Sequence, residues 1–385
     1  MRRIDIFLYM MWIVVLSTSC IKNFEPDILT SDAKKYVVTG QVAAGDSLQR
    51  VNVSLTSPIN EPEYIPVPGC EVNIYDDKGH QFSLNDAGKG DYTVVIDPVF
   101  FAPGVSFKVE IKTPAGDMLV SDYDSLTQVP PIDSIYYQRK DIERSEPGDF
   151  LMGIQFYVDL KGTETSSRYF RWEEFETWEY HADYPLEWYY DGTVHHVFPP
   201  DFSRKVCWTT RKLPDIFTLS TNTLEANRYD LFPLHFVGNK SSRLAYGYSL
   251  LTKQYSLSEK GYNYWEQLRA NSDPEGGLYE KQPLAVKGNM HNLTHPEFDV
   301  LGYFGATSVV SQRMFIKDVP DLPLDFDTYC NPLALRRGLR EIDPSDYPGY
   351  LLGTEFGYAL VLLNPECINC LLLGGSNVKP SFWPF

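Results

Sequence analysis

Cysteine and histidine spacings are where chemistry is first to be sought in this chain. Cys367 and Cys370 stand in a C-x-x-C pattern, which allows a thiol redox pair, half of a zinc site or two structural half-cystines. A redox pair needs a thiolate at a helix N-terminus after a βαβ unit. Here a strand-like run from Tyr358 to Leu363 precedes the pair, and Leu371 to Gly375 follows it. Zinc needs a second paired set of ligands, and none lies nearby. His291 and His295 have the i, i+4 spacing of a helical metal pair, but the glutamate of H-E-x-x-H is missing and Pro296 disfavours a helix there. His195 and His196 are adjacent, so on a strand their rings point to opposite faces. No metal site, cofactor or catalytic residue is assigned.

Carboxylates are dense between Arg171 and Tyr180. Read as a strand, this segment puts Trp172, Glu174, Glu176, Trp178 and Tyr180 on one face, with Arg171, Glu173, Phe175 and Glu179 on the other. Paired glycosidase carboxylates face each other across a cleft and do not line up along one strand. The preferred reading is a sheet with one aromatic inner face, and the competing one is an aromatic platform for a ligand such as a sugar. The chain has no G-x-S-x-G, Walker loop, G-x-G-x-x-G or H-E-x-x-H motif. Nothing in it supports enzyme function.

Cys20 carries a different chemistry. Arg2 and Arg3, the eleven apolar residues from Ile6 to Leu16, and the small residues Ser17 to Ser19 compose an export signal too short to span a bilayer. A cysteine at the end of such a leader suits lipoprotein processing, in which the thiol takes a diacylglycerol. The match is relaxed, because Ser17 occupies the position where a lipobox has leucine. The expected organisation is a signal peptide over 1–19, a polar tether over 20–35, a β-sandwich over 36–128 and a mainly-β domain over 129–385.

Losing Arg2, Arg3 and Asp5 with the leader reduces 34 basic and 51 acidic residues to 32 and 50. So acidic a body repels nucleic-acid phosphate, which excludes DNA and RNA as partners. An oxidising compartment makes cysteine pairing the default. Cys70 opens a strand as a small inward residue and is the one left free, so Cys207, Cys330, Cys367 and Cys370 make two bridges. One bridge is expected to join Cys330 to Cys367 or Cys370.

The elements that must position these residues are mostly strands. Short alternating runs begin at Tyr36, Val51, Glu71, Tyr92 and Phe107, separated by Gly- and Asp-rich turns, as in a sandwich. Pro130 and Pro131 break the pattern near Val129, where the domain boundary is placed. Beyond it, Tyr169 to Tyr180 and Phe298 to Ile316 read as strands, with Gly302 and Gly305 marking bulges or close approaches. Helical spacing appears from Ser258 to Ala270, with Ser258 as N-cap. Pro320 to Pro348 reads as a long surface loop stapled by Cys330, and Pro380 to Phe385 as an aromatic plug. Tyr184 to Phe202 reads as a loop whose Trp188, Tyr189, Tyr190 and Phe198 are candidates for a ligand or partner surface.

Two resemblances follow from particular residues. Pro68 to Gly79 followed by Gly88 to Tyr92 resembles transthyretin-like modules, which carry no active site. Several further stretches together resemble a Bacteroidetes outer-membrane lipoprotein family, domain of unknown function 4249. They are Tyr36 to Gly40, Pro131 to Tyr137, Tyr169 to Trp172 with Glu176 to Tyr180, Cys207 with Trp208, and Gln254 to Leu257 with Tyr264 and Trp265. Gly288 with Asn289, Leu301 to Phe304, and Cys367 to Cys370 leading to Lys379 to Trp383 complete the likeness, which spans nearly the whole mature chain. The resemblance implies a lipoprotein encoded beside a TonB-dependent transporter, without established enzymatic activity.

The combined expectation is an all-β, non-catalytic protein with a transthyretin/Ig-like N-terminal sandwich and one inserted helix. It is lipid-anchored to the outer membrane, facing the periplasm or the cell surface. It serves as an accessory or ligand-capturing partner of a TonB-dependent transporter, with a small molecule or glycan as ligand. The rival reading is a fimbrillin-like adhesive lipoprotein, and a hydrolase is the remaining one. Replacing Cys20 with alanine is expected to release the protein from the membrane fraction or to stall it as precursor, checked by detergent phase partitioning; unchanged partitioning would refute the anchor.

Overall fold

The computed structural model describes residues 34–58, 61–144, 148–272 and 286–385. Cys20, the leader and most of the tether lie outside the described residues. Among the described residues the fold is all-β with one α-helix. Residues from Tyr36 to Phe385 form one compact unit.

A ten-stranded sheet organises this unit. Along it run Val206–Lys212, Tyr169–His181, Tyr248–Ser256, Leu301–Ile316, Tyr36–Ala44, Leu48–Leu55, Asp91–Val95 and Asn85–Gly88. Two opposing sheets pack on it. A six-stranded sheet containing Glu71–Asp76 and Ser106–Lys112 covers one half, with a core that includes Val38, Val51, Ile74, Tyr92, Phe107 and Phe304. A three-stranded sheet of Ser134–Glu143, Phe150–Lys161 and Arg228–Gly238 covers the other, around Phe156, Phe170, Trp172 and Tyr248. The result is two sandwiches that share one continuous sheet. Alternation explains the first core: Val38 and Val42 are fully buried, as are Val51 and Val53, because inward positions recur every second residue.

The boundary expected near Val129 does not separate two independent units. Tyr36–Ala44 pairs in parallel with Leu301–Ile316, so the opening strand of the first sandwich is hydrogen-bonded to a strand some 260 residues later. Met290, Val300, Phe304 and Ala306 complete the first core, and Met290–Asn292 adds an edge strand to its second sheet. Prolines 130 and 131 mark a crossing between the sandwiches; the contacts that define the core come from pairing remote in sequence.

The region Phe298 to Ile316, expected as two runs, is one 16-residue strand from Leu301 to Ile316. Its first half pairs with Tyr36–Ala44 and its second with Tyr248–Ser256. Gly302 is the close-approach point, with φ at +98° and Val38 O only 1.9 Å from where a Cβ would stand. The helix spans Glu259–Ser272, and the Ser258 Oγ accepts the Gly261 N–H at 3.0 Å, as a capping serine does. It packs Tyr264 against Tyr303 with ring centroids 5.0 Å apart.

Both bridges form. Cys207 joins Cys370 and Cys330 joins Cys367, while Cys70 stays free. The segment from Pro320 to Pro348 is largely irregular and is held by the Cys330–Cys367 bridge. At the C-terminus Trp383 is buried and donates its indole N–H to Glu179 Oε2 at 3.1 Å, so the final residues do plug the large sheet.

Replacing Gly302 with alanine adds a methyl group against Val38 O at a left-handed φ, and is expected to cost about 3 kcal/mol. Gly305→Ala, whose Cβ meets no atom closer than 3.2 Å, is expected to cost less. Chemical denaturation of the two variants checks the order, and equal stability would remove Gly302 from its place at the junction.

Candidate ligand-binding site

Tyr169–His181 positions most of the polar chemistry of the second sandwich. It is interior to its sheet, pairing with Val206–Lys212 and Phe217–Ser220 on one edge and with Tyr248–Ser256 on the other. Buried residues lie on both its faces. Trp172, Glu174, Glu176 and Tyr180 lie inward on the face the alternation assigns them. Arg171, on the opposite face, is also buried, with its guanidinium 4.6 Å from the Tyr255 ring and 4.2 Å from the Trp265 ring. One aromatic inner face was expected; the helix lays Trp265 over Arg171 on the second face, where Glu173, Phe175 and Glu179 stay half-buried.

Glu174 and Glu176 are two residues apart on one face and have opposite electrostatics. Burial dominates at Glu174 and pushes its pKa well above the usual carboxylate range, since only the Thr252 hydroxyl, at 2.7 Å, donates to it. At Glu176 burial also acts upward, but it is outweighed by His235, the charge of Arg243, the Tyr248 hydroxyl and Arg211, which take the pKa down to about 2. The Arg243 Nη1 is 3.1 Å and the Tyr248 hydroxyl 2.9 Å from Glu176 Oε2, and Arg211 Nε donates to Oε1. Glu176 has no solvent exposure. It is an anchor that fixes two arginines.

Those arginines face a cavity of about 430 Å³ at the end of the long strand. Trp178, Tyr180 and His181 form one wall and Thr209 and Arg211 the next. The turn from Lys240 to Tyr246 supplies Arg243 and an aromatic ring stacked 3.7 Å from His181. The remaining walls come from Phe326 to Tyr329 and from Glu366 and Leu373. Each disulfide lies beside these walls: Tyr329 precedes Cys330, Glu366 precedes Cys367, Thr209 follows Cys207 by two residues and Leu373 follows Cys370 by three. Segments remote in sequence are thereby fixed around one space. Its size suits a small ligand.

The residues singled out from Tyr184 to Phe202 lie elsewhere. The expected loop is a β-hairpin of Leu186–Tyr190 and Val194–Asp201, turned at Gly192 with φ at +109°, in a separate five-stranded sheet. Trp188 stacks on His196 at 3.9 Å and packs with Tyr190 against Leu335, Ile342 and Leu351. Tyr189 stacks on His195 at 4.6 Å. Phe198 touches only the edge of this cluster, its ring tilted 5.7 Å from that of His196, and stays 82 % exposed. Aromatic pairing across the strands outweighed the loop signals of Pro199 and Pro200. The other histidines, His291 and His295, contact separate carboxylates, Asp122 and Asp117. Among the described residues no three His, Cys, Asp or Glu side chains converge as a metal site.

Of the cavity residues, Trp178 and Tyr180 were legible as a platform candidate. Arg211, Arg243, Tyr246, Asp327, Tyr329 and Glu366 were not, and the one signal that could have found part of them is nearness to a half-cystine.

The two glutamates predict opposite pH behaviour. Glu176 has a folded pKa below its unfolded one, so its stabilisation is complete above about pH 4.5 and lost as pH falls toward 2. Glu176→Gln leaves two arginines poorly paired and is expected to cost about 3–5 kcal/mol at neutral pH, with the gap to wild type closing on acidification. Glu174 has a raised folded pKa, so its burial costs stability increasingly as pH rises above its unfolded value. Glu174→Gln is expected to gain on wild type over that same rise. Denaturation midpoints between pH 3 and 8 test both signs.

Comparison with known proteins adds a family. No curated protein matches the chain. The family model described as Domain of unknown function (DUF4249) matches residues 21–313. The match is shorter than the likeness read from the sequence and stops before Cys330, Cys367 and Cys370, so the C-terminal walls of the cavity fall outside it. Covering well over half of the chain, it establishes that this protein belongs to the DUF4249 family.

Proposed function

We propose that this protein is a non-catalytic lipoprotein of the outer membrane that captures a small molecule or glycan for a neighbouring TonB-dependent transporter. The observation that carries this reading is the disulfide-framed cavity. Its walls combine aromatic faces with charged and hydroxyl groups and are locked by covalent bridges, as suits a site that must hold its shape in an exposed compartment. Among the described residues, none of its serine and threonine hydroxyls, on Thr209, Ser241, Ser242 and Thr328, is hydrogen-bonded to a histidine or a carboxylate, so the pairing that activates a nucleophile is not seen there. Binding is the chemistry these groups support.

The adhesive alternative fits less well. Donor-strand polymerisation needs an expendable terminal strand. Tyr36–Ala44 instead lies between two partners in the interior of the ten-stranded sheet, with Val38 and Val42 fully buried, and cleavage beside Lys34 and Lys35 would leave it in place.

A partner surface fits the five-stranded sheet, which presents Phe198 and Phe356, 82 % and 97 % exposed, to solvent. Affinity purification through a C-terminal tag in mild detergent is expected to recover a TonB-dependent barrel. Replacing Phe198 and Phe356 together with serine should lower that recovery about tenfold at unchanged melting temperature. A protein that purifies alone, or as a polymer of itself, would refute the accessory role.

A further inference from the structure

We infer that the ligand of the disulfide-framed cavity is an acidic saccharide, a sugar whose carboxylate is clamped by Arg211 and Arg243. The inference rests on the capture reading above and specifies its ligand.

The charge balance of the cavity has two sides. On one, two guanidiniums share the single carboxylate of Glu176, while Lys240 on the same wall is paired with Asp325. The guanidinium donors are only partly used. Arg211 spends Nε on Glu176, and its two terminal nitrogens donate to no described residue. Arg243 spends Nε on the Ser241 hydroxyl at 3.1 Å and Nη1 on Glu176 and His235, which leaves Nη2. Three guanidinium nitrogens remain, on side chains tethered to the buried Glu176. A carboxylate accepts such a fork in two parallel charge-assisted bonds.

On the other side stand Asp183, Asp327 and Glu366. Asp183 and Asp327 accept no hydrogen bond from any described side chain, and Glu366 accepts one, from Asn364 Nδ2 at 2.6 Å. Acceptors of this kind suit a ligand with several hydroxyl donors. The same space is also lined by rings: Trp178, Tyr246, which is 37 % exposed, and Tyr329, which is 65 % exposed. The C–H face of a sugar ring stacks on such surfaces, and its equatorial hydroxyls reach carboxylates beside them. A simple dicarboxylate would use the arginines and leave the rings and acidic wall idle, and a neutral sugar would leave the arginine fork unpaired. An acidic saccharide uses all three.

The test is calorimetric titration of the full lipoprotein in detergent with digalacturonic acid, its neutral dimethyl ester, succinate and a zwitterionic dipeptide. Digalacturonic acid is expected to bind at least tenfold more tightly than the ester, with a change in tryptophan fluorescence that Trp178→Phe removes. Arg211→Gln should erase the preference for acid over ester. Should that variant lose stability through Glu176, Asp327→Asn, at a carboxylate with no bond to keep, provides the second reading: it should weaken acid and ester alike by about fivefold. Equal binding of acid and ester would overturn the carboxylate clamp while leaving capture intact. Tighter binding of succinate or the dipeptide would overturn the saccharide assignment, and so would binding by none of the four. Recovery of a transporter barrel in the purification decides the capture reading separately.

Discussion

The fold depends on one strand being shared. Leu301–Ile316 takes a parallel partner, Tyr36–Ala44, along its first half and an antiparallel one, Tyr248–Ser256, along its second. Through that strand two sandwiches become one sheet, and the backbone hydrogen bonds of each half stand on the register of the other. The junction is reinforced on its outer face. Arg171 reaches Gln41 Oε1 at 3.2 Å, and Lys253 pairs with Asp46 at 2.9 Å, so groups of the second sandwich hold the first at the turn between its opening strands. Tyr255, Ala43 and Val309 pack beneath these contacts. Gly302 is the point where the junction is tightest, because only a residue without a side chain lets the neighbouring backbone approach.

From that sheet follows the unusual treatment of charge. Tyr169–His181 buries polar residues on both faces, and these had to be neutralised or paired. Glu174 takes the first course and Glu176 the second. Arg171 is held between rings while its Nη1 meets Glu173 at 2.6 Å. A strand carrying four glutamates can stay in the interior only with such partners. Their cost to stability is the reason to look for a role beyond packing, and at Glu176 the role is visible: the carboxylate orients two arginines toward the cavity.

The disulfides extend the same logic to segments that lack a sheet of their own. Cys330–Cys367 closes a loop of separation 37, and Cys207–Cys370 ties the chain across a separation of 163. Bridges of this span restrict the unfolded chain and stabilise by a few kcal/mol each. Here they also fix Tyr329, Glu366 and Leu373 against walls built by the large sheet.

Local pattern was enough for the elements. Alternation in Tyr36 to Val42 and in Arg171 to Tyr180, the cap at Ser258 and the turn residues between short runs identified an all-β chain with one helix, because side-chain period and capping are properties of a few neighbouring residues. With Cys20 set aside as a lipidation candidate, five cysteines remain, and the expectation of an oxidising compartment pointed to two bridges with Cys70 left free, again by local chemistry and counting. What the tertiary structure decided was every feature that depends on remote pairing. It joined the region before Val129 to the strand after Leu301, turned the aromatic segment around Trp188 and Tyr190 from loop to packed hairpin, and laid the helix over Arg171 on the second face of Tyr169–His181. It also brought Trp178, Arg211, Arg243, Tyr329 and Glu366 to one space. No spacing rule links those five positions, since sheet order and covalent bridges, set by the burial of the whole chain, determine which segments meet.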